Sequence, residues 1–397
     1  MRKLPVKTHG IPLRGVQRVI SLALLANEWE SGLQFMVLVD SIGDAGILEQ
    51  LVDGGLKNIV VCVPYHLDWH SHIMPTVACD TRALELHDVV VLNLEKQELL
   101  VVYRNSDMHH AIQLTNRCNS FCLMCSQPPT THDDQWLIDE ALLVAAHIND
   151  SPSAIGLSGG EPLLLGPRLR EVIDAYATRL PSTRIEILTN GRLLADEVLA
   201  THLLTGISDK VSWLVPLYGH ADFLHDFVVQ SVGAFEQTIG GLLTLQSYGQ
   251  AIQLRIVLIE PTLRVLPELC RFIGRNLPFV REVALMGCEP IGFALANRDA
   301  CKTDLADWHA ELIEAANALR RANVPYIFMN TPLCALPQSL WAHAHQSISD
   351  WKRSFREECS ICVVKTNCSG LFSWHNHNWT PTVIKAIDGK ACNEEVH

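Results

Sequence analysis

Apolar and polar positions change rhythm near residue 108. Before that point the apolar runs are short and irregularly spaced. Asn58-Ile59-Val60-Val61-Cys62-Val63 has almost no polar break and predicts a buried strand. Asp88–Leu94 and Leu99–Tyr103 are two apolar runs joined by Glu95-Lys96-Gln97-Glu98, the pattern of a hairpin. Val19–Ala26 (VISLALLA) follows Arg14 and Arg18 and reads as a buried helix face. It runs into Asn27-Glu28-Trp29-Glu30 and is far shorter than the ~20 apolar residues a bilayer span needs.

From Ala111 onward strand and helix patterns alternate. Ala111–Leu114, Ile155–Leu157, Arg184–Leu188, Val211–Val215, Ile252–Ile259 and Val280–Leu285 predict strands. Between and after them, Ile138–Ile148, Pro167–Arg179, Ala234–Gln246, Leu266–Arg275 and Leu305–Ala322 predict helices, the last leading to Tyr326-Ile327-Phe328. Repeated strand-then-helix units imply a parallel sheet with right-handed crossovers, and six units predict an open (β/α)6 partial barrel rather than a closed eight. Ligands in such α/β sheets gather at the carboxyl ends of the strands. After Asn330 the chain is loop-rich, and beyond Trp379 its periodicity is lost and fraying is expected. The expected organisation is an N-terminal α+β domain over residues 1–107, a barrel core over 108–329 and a C-terminal extension over 330–397.

Composition narrows the partners. The 397 residues are 48% hydrophobic and 19% charged, enough for two or three domains and unlike a disordered chain. A net charge of −12 gives no long-range attraction for polyanions, so a peptide or small molecule is a better partner than nucleic acid, and no membrane partner is expected. The thirteen cysteines are clustered, as metal sites are, and thiolate clusters that must stay reduced suit a cytoplasmic location.

Cys118, Cys122 and Cys125 form C-x3-C-x2-C directly after the first barrel strand. A four-iron cube held by three thiolates keeps one iron free for a substrate or cofactor. Structural zinc, the rival, asks for four protein ligands, and His132 is the nearest downstream candidate. One strand later comes Ser158-Gly159-Gly160-Glu161-Pro162, whose glycines permit close backbone approach and whose Glu161 can accept from an ammonium. Thr189-Asn190-Gly191 ends the third strand, and Arg255 lies on the fifth, where an inward charge needs a partner. Met286-Gly287-Cys288-Glu289-Pro290 ends the sixth and places a thiol and a carboxylate there, with Cys288 expected as an inert buried cysteine. A second group, Cys359, Cys362 and Cys368 in C-x2-C-x5-C with Cys334 upstream, has ligands enough for a complete [4Fe-4S] cluster or a zinc ion. Cys392 is a spare candidate.

The cysteine loop and the Gly-Gly-Glu-Pro turn together resemble the radical S-adenosylmethionine (SAM) superfamily. The resemblance implies a [4Fe-4S] cluster on Cys118, Cys122 and Cys125 whose fourth iron is chelated by the amino and carboxylate groups of SAM. It also implies reductive cleavage of SAM to a 5′-deoxyadenosyl radical. Gly159, Gly160, Glu161 and Pro162 would then form the SAM amino-group site, Thr189 and Asn190 would support the pocket, and Arg255 would pair with the SAM carboxylate. Met124 stands where the family often has an aromatic residue. The C-terminal cysteines resemble the core of the SPASM-type extension of peptide-modifying members, with Phe372 at one of its cysteine positions, so one auxiliary cluster is expected. The runs Leu114–Ser120, Cys125–Pro129, Pro216–Tyr218, His225-Asp226, Ala284–Gly287 and Gln346–Trp351 resemble the His-Xaa-Ser system radical SAM maturases of the HxsC type over most of residues 88–372. That implies a precursor-peptide substrate, a second radical SAM maturase as partner, and a reductant such as flavodoxin or ferredoxin. A radical SAM enzyme of small-molecule or cofactor precursors, and a zinc-stabilised scaffold, are the alternatives.

Overall fold

The computed structural model describes residues 2–10, 15–69, 71–376 and 378–388. The chain divides into two compact units: residues 1–112 with 135–155 and 172–183, and residues 113–134 with 156–171 and 184–397.

The first unit is built on β1 (Arg2–Pro5), β2 (Lys7–His9), β3 (Val16–Ser21), β4 (Phe35–Leu38), β5 (Ile59–Pro64), β6 (Thr76–Cys79), β7 (Val89–Asn93) and β8 (Glu98–Tyr103), with helices α1 (Leu22–Glu28) and α2 (Ile42–Asp53). The sheet order is β1-β8-β7-β3-β4-β5-β6-β2. β1 pairs antiparallel with β8 from Arg2↔Val101 to Pro5↔Glu98, and β2 pairs antiparallel with β6 from Lys7↔Ala78 to His9↔Thr76. Only Val6 separates β1 from β2, so one stretch of chain occupies both edges and the sheet closes on itself. Val19, Met36, Val60, Cys62, Val77, Leu99 and Val101 pack on one face. Ile20, Phe35, Val37, Ile59, Val61 and Val63 pack on the other, against Leu25 of α1 and Ala45 and Leu48 of α2.

Burial of both faces explains two departures from the sequence reading. The Val19–Ala26 run is not one helix face: it splits into the end of β3 and the start of α1, because a strand buried on both sides has no polar alternation to mark it. The β7–β8 hairpin forms, but β1 covers its outer strand, so among the described residues it offers no edge for an added strand.

Two buried polar contacts organise this unit. Asp88 is fully buried and accepts from Arg104 Nε at 2.9 Å and Nη2 at 2.6 Å, and from the Glu85 amide at 2.9 Å. Helix α3 (Trp136–His147) is held by Arg18, whose Nε donates to His147 O at 2.7 Å, and by the Gln34 amide, which donates to His147 Nε2 at 3.1 Å. The ring therefore carries its hydrogen on Nδ1, 2.7 Å from Leu143 O. These contacts group α3 with the N-terminal sheet, a partition that the change of pattern at residue 108 does not reveal.

The other sheet runs β15-β14-β13-β12-β11-β10-β9: β9 (Ala111–Gln113), β10 (Ala154–Ser158), β11 (Arg184–Leu188), β12 (Val211–Pro216), β13 (Ala251–Leu258), β14 (Glu282–Gly287) and β15 (Tyr326–Met329). β11 to β15 pair in parallel. β9 and β15 are its edges, so it is an open, barrel-like sheet of seven strands, one more than the six units counted in the sequence. The sixth strand lies two residues later than expected. The helices in chain order are α4 (Pro167–Arg179), α5 (Glu197–Leu204), α6 (Asp222–Val229), α7 (Ala234–Ser247), α8 (Glu260–Leu263), α9 (Leu266–Asn276), α10 (Phe293–Ala296), α11 (Arg298–Cys301) and α12 (His309–Arg321). The sheet is two-faced. Ile185, Ile187, Trp213, Val215, Ile252, Leu254, Ile256, Val283 and Leu285 are buried, whereas Glu186, Ser212, Gln253, Arg255, Glu282 and Met286 alternate with them and remain half-buried. Register aligns Gln253 with Glu282 and Val257 with Met286, so these residues share one face.

The extension after β15 consists of short turns and the two-residue pair β16 (Arg353–Ser354) and β17 (Leu371–Phe372). The segment after Trp379 does not fray as expected over its described part. Leu305 donates to Pro381 O at 2.8 Å, Val363 donates to Ile387 O at 3.1 Å, and Thr382 is buried. Cys392 lies outside the described residues. Among the described residues no helix is long and apolar enough to cross a membrane.

Replacing Asp88 by Ala should strip the Arg104 guanidinium of its fully buried partner and leave it only the half-exposed Glu85 and Ala83 O, at a cost of about 3 kcal/mol. Urea denaturation of the two chains measures it; a change within about 0.5 kcal/mol, as at an ordinary surface site, would contradict the assignment.

Candidate active site

The loop bearing Cys118, Cys122 and Cys125 is clamped along its whole length, and all three thiols are free and half-buried. At its start the buried Asp134 carboxylate accepts from Thr115 Oγ1 at 3.0 Å and from the Asn116 amide and side chain, and pairs with Arg117 at 3.5 Å. Gly159 and Gly160 lie against the same stretch. A Cβ on Gly159 would sit 2.6 Å from Thr115 O, and one on Gly160 would strike Arg117 O, so only glycine fits. Their amide neighbours bind there: Gly160 N donates to Thr115 O and Glu161 N to Arg117 O, each at 2.8 Å.

In the middle of the loop, Asn190 Nδ2 donates to Asn119 Oδ1 at 2.6 Å. Arg192 Nη1 donates to Asn119 O at 2.6 Å and to Ser120 Oγ at 2.9 Å. Phe121 N and Leu123 N donate to Val229 O and Val228 O at the end of α6, at 3.0 and 2.9 Å. At the far end Phe293 N donates to Cys125 O at 2.8 Å and Asn297 Nδ2 to Leu123 O at 3.0 Å. Met124 is buried with Tyr218, Val228, Ile259 and Ala294, so it serves as core here.

Glu161 is completely buried. Its carboxylate accepts from Thr189 Oγ1 at 2.5 Å, Asn190 N at 2.6 Å and Leu163 N at 2.9 Å. Burial pushes its pKa up, and these three donors oppose the shift. The expectation from resemblance gives Glu161 to the amino group of SAM; in the structure the carboxylate is engaged by protein and joins the turns after β10 and β11. Pro162 is buried and opens the single turn Pro162–Leu165. Thr189 and Asn190 are thus brought together with Glu161 and the cysteine loop.

Arg255 stands on the polar face of the sheet. Its Nε donates to Gln253 Oε1 at 3.0 Å, and Gln253 Nε2 donates to Glu282 Oε2 at 2.6 Å. Burial lowers its pKa, with Glu186, Tyr218 and Glu282 opposing. Among the described residues its terminal NH groups meet no acceptor, which suits an anionic ligand. Burial first, then Cys122, Cys125 and Cys288, raises the pKa of the Tyr218 hydroxyl, and Arg255 opposes this. Tyr218 therefore lies within electrostatic reach of the thiol loop and of the arginine at once.

The donor set fits an iron–sulfur cluster. Burial pushes the Cys118 thiol up to about 11 and the Cys122 thiol up to about 12, and neighbouring thiols add to both shifts. Thiols that resist ionisation singly and repel one another as thiolates are what a multiply charged cation relieves. Among the described residues no three His, Cys, Asp or Glu side chains converge closely enough to hold a single metal ion. A four-iron cube asks wider spacing of its thiolates than one ion does.

The second cysteine group shares one cavity: Cys334, Cys359, Cys362 and Cys368 line it, capped by Ile384 and Ile387 from the segment expected to fray. Burial raises Cys334 to about 11, with Cys368 and Cys359 adding to the shift. Leu333 N and Gly370 N each approach Cys368 Sγ at 3.4 Å, and Ile387 N approaches Cys362 Sγ at 3.5 Å, contacts that stabilise thiolate sulfur. Sequence reasoning missed Asp134, Asn119, Arg192 and Tyr218. None carries a spacing signal, since each acts through a partner distant in the chain.

Residues 112–273 match the family model described as the radical SAM superfamily. A probable GTP 3′,8-cyclase of Methanocella arvoryzae is 30% identical over 141 residues, covering 35% of this chain and 43% of that protein. Among solved structures, Streptococcus suis SuiB bound to S-adenosylmethionine is 14% identical with a TM-score of 0.46, covering 56% of this chain and 50% of that one. SuiB bound to its precursor peptide SuiA has a TM-score of 0.44 at 14% identity, covering 55% and 47%. The enzyme anSMEcpe with bound AdoMet and Cp18Cys peptide has a TM-score of 0.42 at 16% identity, covering 54% and 62%. The chain thus spans less than half the length of the curated relative it matches.

Two measurements test this site. Gly160→Ala should cost about 1–3 kcal/mol by overpacking and lower the iron bound per reconstituted chain; urea denaturation and iron content report the two effects. The rings of His225 and His375 accept from Tyr218 N at 3.2 Å and Phe372 N at 3.1 Å, and burial lowers both to about 4. The unfolded chain takes up these protons first as pH falls from 6.5 toward 4, so stability drops through that window. The drop should reach about 2 kcal/mol per ring by about pH 5. Denaturation of the iron-free chain near pH 7 and pH 5 measures it, and His225→Asn should remove about half.

Proposed function

We propose that this chain is a radical SAM maturase that modifies a ribosomally made precursor peptide of the His-Xaa-Ser type. The observation that carries the proposal is a loop of three free thiols, clamped by the turns after two neighbouring strands. Cys118, Cys122 and Cys125 would hold a [4Fe-4S] cluster, which when bound supplies the electron that splits SAM into methionine and a 5′-deoxyadenosyl radical. The work of the chain is orientation and exclusion of water. Asp134, Asn190 and Arg192 fix the loop by its backbone and by Asn119. Glu161 holds Thr189 and Asn190 in place. Arg255 would offer its unpaired NH groups to the SAM carboxylate from the polar face of the sheet. Cys334, Cys359, Cys362 and Cys368 would hold a second [4Fe-4S] cluster, with zinc as the alternative.

The peptide assignment is supported by this second thiol group and by the sequence runs shared with the HxsC type. The same likeness supports a second maturase as partner, and the three-thiol cluster needs a flavodoxin- or ferredoxin-like reductant. The similarity to a probable GTP 3′,8-cyclase favours a second reading, in which the substrate is a small nucleotide.

Anaerobic reconstitution decides between them. With SAM, a strong reductant and a His-Xaa-Ser repeat peptide, the chain should form 5′-deoxyadenosine and shift the mass of the peptide. Cys118→Ala should reduce 5′-deoxyadenosine to background. Cys334→Ala should remove about four of roughly eight irons per chain. A response to GTP and none to peptide would favour the nucleotide reading, and a colourless chain with stoichiometric zinc would defeat both.

A further inference from the structure

Cys288 and Cys301 are thiols of this chain that neither cluster uses. They belong to one packed cluster of side chains, and their interaction raises the pKa of Cys288 and lowers that of Cys301. Cys288 follows directly on β14, where the alternation Glu282, Ala284, Met286, Cys288 continues the polar face that carries Gln253 and Arg255. It is half-buried, whereas Cys301, at the end of α11, is almost fully buried. Both pack in the cluster of side chains that contains Cys122, Met124 and Tyr218. Cys301 Sγ lies 3.7 Å from Leu123 O, inside the cysteine loop, and the Cys288 thiol lies 3.8 Å from Glu289 O. Tyr218 is within electrostatic reach of Cys122, Cys125 and Cys288 together. Both thiols thus lie just beyond the carboxyl end of β14, packed against the loop that carries the three cysteines.

We propose that Cys288 is a hydrogen-atom donor to carbon radicals formed in this site, with Cys301 as the thiol that receives its oxidation. The inference rests on the radical reading above. An S–H bond is weaker than an alkyl C–H bond, so transfer from sulfur to carbon runs downhill. The Cys288 S–H bond breaks, a C–H bond forms, and the unpaired electron remains on sulfur. Cys301 then releases its proton to solvent and bonds through sulfur to Cys288, which gives a disulfide radical anion. One electron passes from that anion to an oxidised one-electron carrier of the ferredoxin class and leaves a Cys288–Cys301 disulfide. A dithiol reductant restores both thiols by exchange.

Two experiments test this. In the first, the iron-free folded chain is treated with diamide and digested with trypsin. The expected product is peptide 282–298 linked to 299–302; two peptides alkylated separately would overturn the pairing. In the second, the reconstituted enzyme is turned over without peptide in D2O, with SAM and thiol-free titanium(III) citrate. Exchangeable S–D should place one deuterium in the 5′-deoxyadenosine. In Cys288→Ser the deuterium fraction of whatever 5′-deoxyadenosine forms should fall about tenfold. An unchanged fraction in the variant, or unlabelled product from the wild type, overturns the donor role and leaves the radical reading standing. A wild type that forms no 5′-deoxyadenosine overturns both.

Discussion

The geometry of the thiol loop depends on one buried carboxylate that need not touch a metal. A charge taken out of water is tolerated only when its lone pairs are met by donors. Glu161 meets that condition with Thr189, Asn190 and Leu163. In doing so it fastens the turn after β10 to the turn after β11. Asn190 carries the constraint on to Asn119, one residue beyond the first thiol, and Arg192 adds a second tie. Removing the carboxylate would unfasten the two turns from each other and loosen the Asn190 tie to the loop. The glycines before it act in the same direction, since their missing side chains let the loop lie directly on the turn.

The sheet behind the loop has two unlike faces. Trp213, Ile187, Leu254 and Leu285 make an apolar side. Glu186, Gln253, Arg255 and Glu282 make the other, where the Glu282–Gln253–Arg255 chain of hydrogen bonds ends in a guanidinium with donors to spare. A closed eight-stranded barrel fills its interior with apolar side chains. Seven strands that stop short of closure leave one face free to be polar, as Gln253 and Arg255 of β13 and Glu282 of β14 make it.

The chemistry was more legible in the sequence than the architecture. Thiol spacing, the Gly-Gly-Glu-Pro turn and the strands Arg184–Leu188 and Val211–Val215 stood out because each depends on neighbouring residues, and the second strand runs one residue further, to Pro216. Asp134, Arg192 and Asn119 did not, because their partners lie elsewhere in the chain and an isolated polar residue has no periodicity. The N-terminal sheet was mostly illegible for another reason. Both of its faces are apolar, so β3 ran without a break into α1, and the short strands β1, β2, β4 and β6 carried too few residues to show alternation. The segment near Ile384 and Ile387 looked unstructured because its packing partners are thiols rather than a regular element.

The closure of that N-terminal sheet has a kinetic side. Residues 2–9 leave the ribosome before either partner exists, and they pair with β6, about seventy residues further on, and β8, nearly a hundred residues further on. Strand β1 is therefore satisfied only after all the strands between it and β8 have been made, and two long loops must close around it. Until Tyr103 has emerged, β1 has no partner and lies open to any extended chain, so a holdase that covers residues 2–5 during synthesis would favour correct folding of this half of the molecule.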